Sequence, residues 1–197
     1  MTRPTSMFAG LVPGVDAAVL GAVVDVESAG SGVGPSGPVI RLEVHQFWRR
    51  LPGGFRMQAD ARFHVGGPKP WEGHRWLDDE GVWRDLHHEQ ALEWAAYRCA
   101  VSIHPEAAIL ATSWGLAQIL GTHWQECGFA SPAAFVNGQS TEAGQLATFA
   151  ALVTNTPAYL AALRAKDWRG FAAAYNGPGK PDDYAAKMLA AYQRRAA

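Results

Sequence analysis

Glu27 is the residue whose placement most directly suggests chemistry. It follows Val23 by four positions and Leu20 by seven, so on a helix it projects from the apolar face, in the last turn. A carboxylate there is desolvated by the core and repelled by the negative end of the helix. Both effects raise its pKa towards the range a general acid needs near neutral pH. A helix-end Glu that bends into solvent, or that pairs with an Arg, is the plainer alternative. Glu43 is the second carboxylate, expected on the polar face of a strand beside Arg41 and His45. Two carboxylates flanking a scissile bond are the equipment of glycoside hydrolysis. A solvent-facing Glu paired with Arg41 or Arg49 fits the same pattern.

Two further stretches carry polar groups suited to a ligand. In SWGLAQILG, from Ser113 to Gly121, the glycine lets backbone approach a ligand, and Gln118 is a neutral amide placed one helical turn after Trp114. Such an amide suits sugar hydroxyl and N-acetyl groups; a helix-surface Gln is the alternative. Ala174-Tyr175-Asn176-Gly177 ends a helix with an aromatic ring and an amide, which an Asn-Gly C-cap also explains. No rival site competes. In His87-His88-Glu89 the adjacent imidazoles point apart, and the other histidines are read as structural or surface groups. No metal site and no cofactor is therefore expected. Neither a Gly-x-Ser-x-Gly elbow, nor a phosphate loop, nor a dinucleotide fingerprint occurs.

The elements that must position these residues follow from periodicity and punctuation. Val15, Val19, Leu20, Val23 and Val26 predict a helix from Val15 to Ser28, started near Pro13 and stopped at Gly30 and Gly32. Pro35 to Pro38 is a turn leading into PVIRLEVHQF, where Ile40, Leu42 and Val44 alternate with Arg41, Glu43 and His45 as in a half-buried strand. Residues from Leu51 to about Val82 read as short strands and loops. Asp85 is expected to cap a helix to Ser102, and Pro105 to open one through Ala111. Further helices are expected from Gly115 to Cys127, from Ser131-Pro132 to Gly138, after Thr141, and over 157–165, 168–175 and 182–194. The layout is a mostly helical α+β fold with a small β region after the first helix. It is read as one domain over 1–197, with a β/loop part at about 36–84 and a helical bundle at about 85–195.

Composition narrows the classes. The 197 residues are 48% hydrophobic and 18% charged, which is enough apolar material for a core. Seventeen Lys plus Arg against eighteen Asp plus Glu leave a net charge of −1, with no basic stripe for nucleic acid. No apolar run reaches membrane-span length, and the opening MTRPTSMFAGLVPG does not read as a secretory leader. Cys99 and Cys127 read as reduced, structural thiols. Eight Trp favour a carbohydrate partner slightly over other ligands, since an indole face stacks on sugar rings.

Taken in order, VESAG, PVIRLEVHQF, SWGLAQILG, Glu142 with Gln145-Leu146, and FAAAYNGPG followed by Tyr184 resemble the N-acetylmuramidase domain of phage endolysins. That domain lies within the lysozyme-like group, with goose-type lysozymes and lytic transglycosylases. The resemblance spans about residues 10–192 and implies a lysozyme-like fold and cleavage of the β-1,4 bond between N-acetylmuramic acid and N-acetylglucosamine. It implies Glu27 as general acid and Glu43 as the second carboxylate, either general base or electrostatic stabiliser. It places Gln118, Tyr175 and Asn176 along the glycan groove, with Ser28, His45 and Ser113 completing the expected substrate-binding set. Relatives often carry an aromatic before the strand Glu, where this chain has Arg41 and Leu42. The expected partner is the peptidoglycan glycan strand, met by a monomer. Synthesis in a host cytoplasm with holin-dependent release, or delivery as a toxin with an immunity protein, would suit a chain without a leader. A lytic transglycosylase and a non-catalytic wall-binding module are the other two readings.

Overall fold

Asp16 opens the first helix: its carboxylate accepts from the Ala18 N–H at 2.7 Å, and α1 follows over Ala17–Glu27. The computed structural model describes residues 3–28, 30–177 and 179–197. Ala29 of VESAG, Pro178 of FAAAYNGPG and the first two residues of the expected domain lie outside the described residues. Residues 18 to 24 of α1 are all buried, so the helix runs through the interior instead of lying on a surface. A 3-10 turn at Thr5–Phe8 seals one side of it. Beyond α1 come β1 (Val33–Gly34) and β2 (Gly37–Pro38), an antiparallel hairpin turning at Pro35-Ser36.

The strand expected through PVIRLEVHQF stops early. β3 is Ile40–Leu42 alone, and α2 begins at Val44 and runs to Arg50, with Glu43 as its N-cap residue. One edge of β3 pairs with a strand described below; the other is taken by side chains. The Ile40 and Leu42 N–H groups donate to Gln90 Oε1 and Glu93 Oε2, each at 2.9 Å. With the ladder exhausted, Gln46 and Phe47 N–H donate back to Glu43 O and close a helical turn. The alternation misleads because Val44 and Phe47, three apart, are also the buried face of a helix.

The Gly-rich middle contains α3 (Arg56–Asp60), which the composition conceals, then an antiparallel sheet of β4 (Phe63–Val65), β5 (His74–Leu77) and β6 (Trp83–Asp85) in that order. Asp85 does not cap a helix: it pairs with Arg75 in this sheet, and α4 spans Gln90–Ile103 behind Glu89. α5 (Pro105–Leu110) follows, capped by the His104 ring, which accepts from the Ala107 N–H at 3.1 Å.

The helix expected from Gly115 to Cys127 is also absent. β7 (Thr112–Trp114) pairs antiparallel with β3, and β8 (Ile119–Leu120) with β7. Gly115 (φ +69°) and Gln118 (φ +48°) take the left-handed conformation that reverses the chain between these strands. From there the expected boundaries hold closely: α6 (Pro132–Gly138), α7 (Glu142–Asn155), α8 (Pro157–Ala165), α9 (Trp168–Tyr175) and α10 (Pro181–Ala196). Ser131 and Thr141 each accept a hydrogen bond from the N–H three residues on.

Side chains from the sheets and helices join in one hydrophobic cluster around α1. Trp114 is fully buried at its centre, meeting Trp94, Tyr97 and Phe135 edge to face. α10 is clamped to α1 by Arg195, whose Nε and Nη2 each reach Asp25 at 2.7 Å. Among the described residues no single helix is long and apolar enough to cross a membrane; α7 and α8 together pass that test of length and composition but meet at 96°.

Candidate active site

The end of α1, the β3–α2 junction, the β7–β8 turn and the end of α9 converge on one groove of about 1150 Å³. All eight sequence-derived site residues line it: Glu27, Ser28, Glu43, His45, Ser113, Gln118, Tyr175 and Asn176. Shared lining does not mean shared role, because the hydrogen bonds divide the set.

Glu27 is the last residue of α1, where the helix emerges from the core. Burial pushes its carboxyl up to about 6 from 4.5, while a hydrogen bond from Asn176 and the charge of Lys187 pull the other way. The Asn176 Nδ2 donates to Glu27 Oε1 at 3.0 Å. Desolvation is therefore the cause of the shift, as the apolar helix face implies. Asn176 reaches the acid itself and orients it. Its position at the end of α9 is held by its own N–H, which donates to Ala172 O at 2.9 Å.

Tyr175 is turned inward. Its hydroxyl donates to Ala117 O at 2.6 Å, and its ring stacks on Phe171. That bond docks the β7–β8 turn on α9, so the phenol supports the groove wall. Ser28 likewise commits its hydroxyl, donating to Val24 O at 2.7 Å in the last turn of α1. Gln118 donates through Nε2 to Gly115 O at 2.9 Å, closing its own turn and leaving Oε1 for a ligand. Ser113 stands on β7 opposite Arg41, half-buried.

Glu43 lines the same groove from the β3–α2 junction. Its Oε1 accepts from Arg41 Nε at 2.7 Å, and its Oε2 is buried without a hydrogen-bond partner among the described residues. His45 Nδ1 lies 3.6 Å from that oxygen and His74 Nδ1 lies 3.7 Å from it. Burial pushes the His45 imidazole below its ordinary value, against the opposing pull of Glu43. His45 belongs to α2, not to a strand, and its Nε2 meets the Gln46 amide at 3.1 Å.

Two groups that hold or line the site went unassigned in the sequence. Gln145, 1% exposed, accepts from the Leu116 N–H at 2.8 Å and donates to Gly32 O and Gln139 O at 2.9 and 2.8 Å. It thereby ties the β7–β8 turn to the segment following α1. A Cβ at Gly115 would lie 2.7 Å from the Gln145 side chain, which is why the turn takes glycine there. The available signal was a Gln four residues before Phe149 on an apolar helical face. Trp71, 51% exposed, lines the groove from the loop before β5, with Lys69 Nζ 5.7 Å from its ring centre. Only the general affinity of indole for sugars pointed to it.

The chain matches the N-acetylmuramidase family over residues 16–196. Among solved structures it is similar to the crystal structure of the Burkholderia AP3 phage endolysin, with a TM-score of 0.75 and 32% sequence identity over 98% of this chain and 71% of that one. No match is found among curated proteins. The family match extends from the N-cap of α1 to the end of α10 and so takes in every groove residue named above: the chain has a lysozyme-like α+β fold and belongs to the N-acetylmuramidase family.

Proposed function

We propose that this peptidoglycan hydrolase is a lysozyme-type muramidase that hydrolyses the β-1,4 bond between N-acetylmuramic acid and N-acetylglucosamine, with Glu27 as general acid. The observation that carries the reading is the Glu27 carboxyl, half-buried at the wall of the groove, with its pKa raised to about 6 and its orientation held by Asn176. Such an acid is protonated in mildly acidic medium and can give its proton to the leaving glycosidic oxygen. As the bond breaks, positive charge develops at the anomeric carbon. Glu43, which lines the same groove, is the second carboxylate, stabilising that oxocarbenium-like state or activating water. Gln118 Oε1 and the Trp71 face provide an acceptor and a stacking platform for the sugar rings. The chain works as a single catalytic unit, in the biological setting of a phage endolysin, and the likeness to the AP3 phage endolysin supports that setting.

Mass spectrometry of the fragments released from purified peptidoglycan tests this, with Glu27→Gln in parallel. Reducing N-acetylmuramic ends, absent with the variant, are expected. Fragments ending in 1,6-anhydro-muramic acid would make the reaction a transglycosylation and remove Glu43 from the chemistry. Binding without any release would make the chain a wall-binding module.

A further inference from the structure

Three histidines dispersed in sequence meet behind Glu43, and their hydrogen bonds fix how they face each other. His74 Nε2 contacts Pro70 O at 2.9 Å, and a carbonyl can only accept, so that nitrogen carries the proton. His87 Nδ1 contacts Glu93 Oε1 at 2.8 Å, which assigns the proton there in the same way. With both rings neutral, the remaining nitrogens, His74 Nδ1 and His87 Nε2, present lone pairs to each other across only 2.7 Å. The buried Glu43 Oε2, without a hydrogen-bond partner among the described residues, lies 3.7 Å from His74 Nδ1. Three electron-pair donors lie within 4.8 Å of one another, and no donated proton satisfies all of them. His87 holds its ring in place through a left-handed backbone (φ +76°), an uncommon conformation for a residue other than glycine.

We propose that Glu43, His74 and His87 bind one divalent transition-metal cation of the zinc type. A His2Glu set with one further position suits zinc, and bonds of about 2.0–2.1 Å put neighbouring ligand atoms roughly 3.3 Å apart, between the two separations observed. The outer partners are those that metal-bound histidines use, a carboxylate on one ring and a backbone carbonyl on the other. Glu93 is itself 1% exposed and also accepts from the His87 and Leu42 N–H groups, so it is a rigid outer partner. Arg41 opposes a cation, yet it occupies Oε1 of Glu43, leaves Oε2 free, and is 44% exposed to screening solvent. Two carboxylates against one guanidinium leave the site with a net negative charge. The cation would hold the Glu43 carboxylate through Oε2, leaving Oε1 paired with Arg41 at the groove.

Chelator-treated full-length protein titrated with Zn²⁺ by calorimetry, and with Co²⁺ by visible absorption, tests the site without reference to lytic activity. Uptake saturating at one cation per chain is expected, with the intense visible bands of four-coordinate Co²⁺. Glu43→Gln and His87→Asn should each weaken uptake at least tenfold, and Glu93→Gln by about 10–100-fold. His64→Ala, at an exposed histidine outside the cluster, should leave it unchanged. Circular dichroism establishes that each variant is folded, and His87→Asn serves if changes at the buried His74 prevent folding. Absence of saturable uptake, or uptake unaltered in folded Glu43→Gln and His87→Asn, overturns the proposal. The muramidase reading is decided separately, by the fragment analysis.

Discussion

Asn176 Nδ2 and Glu27 Oε1 lie 3.0 Å apart, bridging 149 residues of chain. The bond sets two opposing demands on one carboxyl. Burial favours the protonated form and the amide favours the charged one, and burial wins, leaving the group at about 6. The amide costs some acidity range but holds the carboxyl towards the groove.

The first consequence is a pH profile. The proton that Glu27 would donate is lost as pH rises through about 6, so kcat/KM should fall on that alkaline limb. Asn176→Ala removes the bond that lowers the pKa and should move the limb to higher pH while reducing the maximum. Rates of muropeptide release between pH 4 and 9, on the order of unit steps, would check this; an unmoved limb in the variant would separate Asn176 from the acid.

Glu27→Gln should reduce release by about 10²–10⁴-fold, the usual worth of a general acid. It should also stabilise the protein in a pH-dependent way. Because the folded pKa, about 6, is above the unfolded 4.5, the stability linked to this proton is fully present below 4.5 and lost as pH rises through 6. At neutral pH the loss is about 2 kcal/mol, which the neutral amide avoids. Thermal unfolding should therefore show the variant melting above wild type at pH 8 and alongside it near pH 4. A variant less stable at both would refute the burial argument.

Gln145→Leu should be among the most damaging changes outside the reacting groups. It strands the Leu116 N–H and two backbone carbonyls in a buried setting, at about 3 kcal/mol or more. Gly115→Ala meets the same side chain from the other direction, with a left-handed backbone costing about 1–2 kcal/mol before the clash is counted. The two substitutions share one contact, so their effects should not add. Urea unfolding of the single and double variants measures the coupling; strict additivity would mean the turn is held elsewhere.

Trp71→Ala should raise KM about two- to tenfold and leave kcat nearly unchanged, since an exposed stacking face contributes on the order of 0.5–1.5 kcal/mol. A comparable loss in kcat would place the ring closer to the scissile bond than its loop position suggests. An unchanged KM would mean the glycan passes it by.

Much of the architecture was legible because it rests on local rules. Asp, Ser and Thr caps act on N–H groups two or three residues away, and Pro opens a helix wherever it stands at the first turn. α6 to α10 follow those signals almost residue for residue. Glu27 was legible for the same reason: position on an apolar helix face and at a helix end is a local property, and burial there has one electrostatic consequence. What tertiary structure alone decided depends on partners distant in sequence. β3 stops at Leu42 because side chains of α4, 50 and 51 residues on, take the next edge of the ladder. Residues 115–118 form a turn because Gln145, 29 residues beyond Leu116, binds its N–H and fills the space beside Gly115. Tyr175 supports the groove wall instead of facing the ligand because Ala117 O, 58 residues earlier, is brought to its hydroxyl. His45, His74 and His87 show no spacing of their own; β5 and the loop before α4 carry two of them to Glu43. Residue types set what each group could do, and long-range packing chose which partner it met.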